Sequence, residues 1–231
     1  MSDVTRIALL GATGLIGRTV MERCVGREDV RLVAVSRREA PMPPGARMEM
    51  FVAEPDGWGD VIRTVRPDVL VSALGTTIRK VGGDQDAFRA VDFDLVVETA
   101  RAAREAGVER MIAVSSVGAN PHSDNFYLRT KGETEKALLK LRFKRLDLMR
   151  PGLLRGTRKA DLRPLEGLAK LASPAADMLM RGKWAQYRSV HARDLVDAML
   201  ALAKRKSQGK FSHDYEAIHR AARMLPPVEQ G

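Results

Sequence analysis

The chain has 231 residues, 45% hydrophobic and 29% charged, with 39 Lys and Arg against 29 Asp and Glu for a formal net charge of +10. That length and balance suit one α/β domain with a buried core and exclude a disordered or fibrous chain. One cysteine, Cys24, and four histidines scattered at 122, 191, 213 and 219 leave no internal disulfide and no metal-ligand spacing.

The start, MSDVTRIALLGATG, lacks the charged and apolar regions of a secretory leader. No apolar run approaches the ~18 residues that cross a bilayer. The expectation is a cytoplasmic chain with no membrane span. The basic residues are spread along the chain and aromatics are only 5%. Neither a like-charge block nor an aromatic stacking platform is visible, so no specific nucleic-acid partner is expected.

In chain order, Arg6–Leu10 is an apolar run that predicts a buried strand. Glycines follow at once and open a helix over Ile16–Val25. Arg31–Ser36 predicts a second strand and Met48–Val52 a weaker one. Asp60–Val65 predicts a short helix, Val69–Leu74 a strand, and Asp86–Ala106 one long helix stopped at Gly107. Arg110–Ser115 predicts a strand, Phe126–Leu141 an amphipathic helix, and Leu146–Met149 a strand ended by Pro151. Strand and helix alternate to about residue 150, which calls for right-handed crossovers and a doubly wound parallel sheet of Rossmann type. Residues 155–188, rich in Arg, Lys, Pro and Gly, read as a loop-and-helix substrate cap within a single domain 1–231, with a helical piece at Leu165–Ala172. Asp194–Lys204 predicts a late helix with Asp194 as N-cap. The tail from Leu225 is expected to fray.

Gly11-Ala-Thr-Gly14-Leu-Ile-Gly17 has the spacing GxxGxxG after a strand and before a helix. The first glycine permits the tight turn, the second lets backbone approach a pyrophosphate, and the third lets helix pack on strand. The helix N-terminus then offers free N–H groups and a partial positive charge. An NAD site places an acid after the second strand; this chain has Ser36-Arg37-Arg38, twenty residues past Gly17. Guanidinium groups there suit a 2′-phosphate, so NADP(H) is favoured over NAD(H).

Tyr127-Leu-Arg-Thr-Lys131 puts a phenol and an ammonium one helical turn apart, about 6 Å along the axis. A neighbouring ammonium favours a phenolate, and such a phenol serves as a proton donor. Upstream, Ser115-Ser116 end a strand where a hydroxyl can hold a carbonyl oxygen.

Together these pieces resemble the short-chain dehydrogenase/reductase superfamily, in its atypical and extended groups, and most closely the Tat-interacting oxidoreductase-like branch. The matching runs are LLGATGLIGR, SALGTT, AVSSVGAN, FYLRTKGETE, LMRPGLLRG, VHARDLVDAML and YEAIH, over about residues 5–220. The resemblance implies a dinucleotide across the C-terminal edge of the sheet and hydride transfer assisted by Ser, Tyr and Lys. Carried over by position, it puts Gly11, Gly14 and Gly17 at the phosphates, with Thr13, Leu15 and Ile16 as further cofactor-binding residues. Leu74, Gly75 and Thr76 fall beside the cofactor, and Pro151, Gly152 and Leu153 beside the nicotinamide. Ser116 is the catalytic serine, with Ser115 as the alternate and a further cofactor neighbour. Tyr127 takes the acid/base role and Lys131 holds the ribose. Where many members carry an asparagine on the fourth helix, this chain has Asp92, which puts a relay through that position in doubt.

The function expected is NADPH-dependent reduction of a small-molecule carbonyl, or the reverse on an alcohol, by a monomer or homodimer. The alternative is an NADP(H)-binding regulatory or scaffold protein. Arg155 and Arg158 follow the sixth strand, near where a substrate would lie. His191 reads first as a packing or capping residue, and Met178 and Met180 as packing.

Overall fold

The computed structural model describes residues 4–156 and 186–228. Its first half runs β1 (Thr5–Leu10), α1 (Leu15–Cys24), β2 (Val30–Ser36), β3 (Glu49–Val52), α2 (Trp58–Val65), β4 (Val69–Ser72) and α3 (Gln85–Arg89). A π-helical turn, Ala90–Asp94, joins α3 to α4 (Leu95–Glu105). Then come β5 (Arg110–Val114), α5 (Phe126–Lys140), β6 (Arg145–Met149) and β7 (Leu154–Arg155). The second described stretch holds β8 (Val190–His191), α6 (Ala192–Ala203), β9 (Gly209–His213) and α7 (Tyr215–Ala222).

The central sheet has the order β3-β2-β1-β4-β5-β6-β9, and every pairing is parallel. A parallel sheet needs helices on both faces, so its inner strands are apolar throughout rather than alternating. Strand β1 shows this: Ile7, Ala8, Leu9 and Leu10 are all fully buried. Ile7 and Leu9 join the core under α1, α6 and α7, with Val20, Met21, Val196, Met199 and Ile218. Ala8 and Leu10 join the opposite core, with Trp58, Ile62, Val96, Ala100 and Leu138 from α2, α4 and α5. Strand order reverses between β1 and β4, which opens the crevice where doubly wound sheets bind ligands.

The Rossmann-type reading holds, with four corrections. The predicted helix over Asp86–Ala106 is broken by the π turn, which accommodates Asp92 in the interior at 0% exposure. Alternation does not end near residue 150: β9 extends the sheet beside β6. Its GKFSH sequence lacked an apolar run because it is an edge strand with only half-buried side chains. The N-cap of α6 is His191, an exposed residue; Asp194 lies inside the first turn. The tail is anchored as far as Pro226, whose carbonyl accepts from Arg27 at 3.0 Å. The helix expected at Leu165–Ala172, with Arg158, Met178 and Met180, lies outside the described residues. Among the described helices none is long and apolar enough to cross a membrane.

Two features set the chemistry of the frame. Cys24 is buried, and burial pushes its thiol up to about 12 against the opposing pull of Arg27. At the β6–β9 seam, Asp147 is 1% exposed; its Oδ2 takes Arg145 Nε at 2.6 Å, and its Oδ1 takes Arg145 Nη2 at 2.9 Å and lies 2.8 Å from His213 Nε2. Phe211 stacks under the Arg145 guanidinium at 4.4 Å. Removing one member of a buried pair leaves the other charge unanswered. Asp147→Ala is therefore expected to cost about 3–5 kcal/mol in urea unfolding. Asp60→Ala, which breaks the exposed Arg63–Asp60 pair, is expected to stay within about 1 kcal/mol.

Candidate active site

The glycine turn after β1 divides its three glycines by physical cause. Gly11 has φ +85, and a Cβ there would meet the Ala73 carbonyl at 2.7 Å. Gly17 sits in α1 with room for hydrogen only, since a Cβ would lie 2.1 Å from the Gly11 carbonyl. These two lock α1 onto β1 and β1 onto the end of β4. Gly14 differs: its φ is −77, and a Cβ would meet only the Gly11 carbonyl at 3.4 Å. Neither backbone nor packing requires a glycine at 14. It is the N-cap of α1, with no side chain capping the free N–H groups of the first turn. A bare helix end with unobstructed approach fits a pyrophosphate. Thr13 is exposed; Leu15 is half-buried and packs against the core, to which Ile16, 3% exposed, belongs.

At the end of β2, Arg37 and Arg38 are exposed and point their charge to solvent. Ser36 is buried, and its hydroxyl is bonded to the Arg38 backbone, accepting from Arg38 N–H at 3.2 Å and donating to the Arg38 carbonyl. It shapes the turn that presents the arginines. At the end of β4, Leu74 is buried while Gly75 and Thr76 are half-buried beside the glycine turn. After β6, Pro151 accepts from Val117 N–H at 3.0 Å, which ties this stretch to Ser116 and its neighbours. Gly152 passes so close to the chain at Tyr187 and Arg188 that a Cβ would meet the Arg188 carbonyl at 2.5 Å. Leu153 accepts from Val190 N–H at 2.8 Å. All of these positions lie at the C-terminal edge of the sheet.

The Ser/Tyr/Lys set comes from β5 and α5. Asn125 caps α5 by accepting from Leu128 N–H at 3.1 Å, which starts the helix in time to place Tyr127 in its first turn. Tyr127 is half-buried, with its ring edge-to-face on Phe88 at 5.8 Å. One turn on, Lys131 is 4% exposed, and its Nζ lies 2.7 Å from Asp92 Oδ1. Asp92 Oδ2 accepts from Thr76 N–H at 2.7 Å. Thr134 reinforces the junction, donating to the carbonyls of Asp92 at 3.0 Å and Thr130 at 2.8 Å. One carboxylate therefore joins the loop after β4, the π turn and α5. Ser116 is buried and its hydroxyl donates to the Val117 carbonyl at 3.2 Å. Ser115 lies on the same face of its strand as Ala113, toward α4 and α5.

Sequence reasoning weighed Asp92 only as a missing asparagine and did not see its ion pair. Its signal was the buried Lys131, which needs a counter-charge. It also missed Glu135, a further turn along α5 from Lys131 and 5% exposed. Glu135 accepts from Arg150 Nε at 2.8 Å and from its Nη2; this bond outweighs burial and holds Arg150 firmly charged. The spacing Tyr127, Lys131, Glu135 was visible as one helical stripe.

A family model described as NAD(P)H-binding matches residues 11–152. The protein FMP52, mitochondrial, of Meyerozyma guilliermondii is 36% identical over 171 residues, covering 73% of this chain and 73% of that one. The protein fmp52, mitochondrial, of Aspergillus niger is 34% identical over 206 residues, 84% of this chain and 87% of that one. Among solved structures, the UDP-glucuronic acid 4-epimerase from Bacillus cereus in complex with NAD is similar with a TM-score of 0.64. It has 13% identity, over 90% of this chain and 78% of that one, so the likeness is one of fold. These findings agree with the resemblance drawn from the motifs. The mitochondrial names of the relatives overturn the expectation of a cytoplasmic chain. That expectation rested on the lack of a secretory-type leader, and mitochondrial addresses are of a different kind, amphipathic and Arg-rich.

Gly17→Ala is expected to abolish folding or cost several kcal/mol, because backbone must move. Gly14→Ala is expected to leave the urea midpoint nearly unchanged while weakening dinucleotide binding at least tenfold in a fluorescence titration. Lys131→Met leaves Asp92 buried and unpaired, at an expected cost of about 3–5 kcal/mol. Adding Asp92→Asn to that variant is expected to restore most of the loss, read by thermal unfolding of the four forms.

Proposed function

The chain belongs to the NAD(P)H-binding family, with the Rossmann-type fold of the extended short-chain dehydrogenase/reductases, and we propose that it is an NADPH-dependent oxidoreductase reducing a small-molecule carbonyl. The observation that carries this reading is the buried Lys131–Asp92 pair, one helical turn from Tyr127 and bonded to the loop after β4. A charge buried there at a cost in desolvation is explained by a task for the ammonium at the sheet edge.

The residues present fit a dinucleotide. Gly14 leaves the first turn of α1 open to a pyrophosphate, flanked by Gly11 and Gly17, which set the turn. Arg37 and Arg38 supply charge for a 2′-phosphate, with Ser36 holding their backbone. Gly75 and Thr76 on one side and Pro151–Leu153 on the other bound the crevice. Reduced nicotinamide, when bound, supplies the hydride.

The protein's part is to orient a carbonyl and manage one proton. Ser116 turns its hydroxyl from the Val117 carbonyl to the substrate oxygen. The Tyr127 phenol protonates that oxygen as negative charge develops on it. Lys131, fixed by Asp92, stabilises the phenolate left behind and offers donors to the ribose. Phe88 holds the Tyr127 ring by its edge, so the hydroxyl is aimed rather than free to swing.

The test is a titration with NADPH and NADH in parallel. One charge-assisted contact to the 2′-phosphate is worth about 1.5–3 kcal/mol, so a preference of about 10- to 150-fold for NADPH is expected. Arg37→Ala/Arg38→Ala should abolish that preference. Tyr127→Phe should eliminate NADPH oxidation with a panel of aldehydes and ketones while leaving NADPH affinity within about twofold. Turnover retained by Tyr127→Phe overturns the proton-donor role, and equal affinity for the two cofactors overturns the arginine argument.

A further inference from the structure

Arg37 and Arg38 project from a turn that is fastened to strand β3 at both ends. On one side the Ser36 carbonyl accepts from Ala53 N–H at 3.0 Å, just beyond the Ser36–Val52 pair that ends the β2–β3 ladder. On the other, Ala40 N–H donates to Met50 Sδ at 3.4 Å. Between them the Ser36 hydroxyl is closed on the Arg38 backbone. The turn is therefore only as well placed as β3. That strand is four residues long, none of them fully buried, and it lies at the edge of the sheet with β2 as its one neighbour there. An edge with so few buried contacts opens readily unless something else holds it.

What holds its end comes from α2. Trp58, the first residue of that helix, is 2% exposed. Its indole belongs to the same apolar core as Val35, the residue before Ser36, and Ala53 packs against that core. The indole Nε1 donates to the Ala53 carbonyl at 2.9 Å. An indole has one donor and no acceptor, and once buried it needs a partner, so this bond fixes a single carbonyl in a single direction. Both backbone groups of Ala53 are thus in use: its carbonyl takes the indole, and its N–H holds Ser36. A continuous path of hydrogen bonds runs from Trp58 through Ala53 and Ser36 to the backbone of Arg38.

We infer that Trp58 is a positioning residue for the 2′-phosphate end of the dinucleotide: through Ala53 and Ser36 it fixes the turn that carries Arg37 and Arg38, and so sets the discrimination between NADPH and NADH. The inference rests on the proposed reading of those arginines. Charge-assisted bonds to a phosphate depend on geometry, and two long exposed side chains lose rotamer freedom when they close on it. A backbone anchored beforehand removes part of that loss. NADH carries no 2′-phosphate and does not draw on the arginines. An effect of Trp58 on NADPH alone therefore marks positioning, whereas a merely structural role weakens both cofactors together.

The experiment is calorimetric titration of the full chain with NADPH and with NADH, in the unsubstituted form, Trp58→Phe and Ile62→Val, with amide hydrogen exchange and thermal unfolding of each. Trp58→Phe keeps an aromatic ring in the core and removes the donor. Ile62 is fully buried on the same helix but off the path, so Ile62→Val controls for loosening of the core. In Trp58→Phe the ratio of NADPH to NADH affinity is expected to fall about three- to tenfold, the worth of one neutral hydrogen bond, with NADH affinity held within about twofold. The Arg38 and Ala53 amides are expected to exchange about tenfold faster. Ile62→Val is expected to lower the thermal midpoint and leave the ratio unchanged. An unchanged ratio in Trp58→Phe overturns the inference, as does an equal loss for both cofactors or an equal fall in Ile62→Val. Ser36→Ala cuts the path at its far end and keeps the test decisive should Trp58→Phe not fold: the same fall is expected, and an unchanged ratio overturns the inference. Equal binding of the two cofactors by the unsubstituted chain, or binding of neither, overturns the reading of the arginines instead. The Trp58 path is then judged by the two amides, whose unchanged exchange in Trp58→Phe overturns it.

Discussion

The structure around the crevice depends on a carboxylate and an ammonium taken out of water together. Asp92 is fully buried, and Lys131 nearly so. Neither charge is stable there alone, because the interior solvates it poorly and the penalty is several kcal/mol per ion. Their pairing fixes three separate pieces of chain. The π turn carries Asp92 inward, α5 brings Lys131 to meet it, and the loop after β4 gives its Thr76 amide to the other carboxylate oxygen. Single π turns inside α-helices recur at functional sites, and here the insertion has a definite purpose. An unbroken helix would carry the 92 position round the axis and away from α5.

Much of the fold was legible because its signals are local. Strands β1, β2, β4 and β5 are short, mainly apolar runs, and burial on both faces requires that. GxxGxxG between a strand and a helix identified the turn, and the geometry divides its glycines as the spacing implied: Gly11 and Gly17 by crowding, Gly14 by openness. What could not be read locally was anything set by a partner far along the chain. Strand β9 is apolar at few positions, and it is a strand because Phe211 and His213 lie against Arg145 and Asp147 of β6. The π turn is likewise a tertiary effect. Nothing in AVDFD announces it, and only the demand of Lys131 for a counter-charge explains it. Asp92 looked like the loss of a relay residue when compared with an asparagine. In place, it is the residue that holds Lys131.

The two buried ion pairs on the sheet serve contrasting ends. Arg145–Asp147–His213 lies at the seam of the last two strands, with all three guanidinium nitrogens bonded to protein atoms, Ser207 among them. Arg145 stacked on Phe211 resembles a rivet, closed on all sides. Asp92–Lys131 instead ties the π turn to α5, and its second carboxylate oxygen takes the Thr76 amide of the loop after β4. Burial alone does not separate the two, since both pairs are almost wholly enclosed. The distinction is in what each pair joins, strand to strand or helix to helix and loop, and that is visible only once the elements are assembled.

The two-residue ladder between β7 and β8 also shapes how the molecule can change over time. Leu154 pairs with Val190 and Arg155 with His191, so the chain departs from the edge of the crevice and returns to it about one strand spacing away, ~4.8 Å. Because the ladder fixes both ends, the length of chain between Arg155 and Val190 enters the stability of the frame only through a logarithm. A change in that length therefore poses little thermodynamic risk to the frame, and chimaeras joined at Arg155 and Val190 give an engineer a place to exchange sequence.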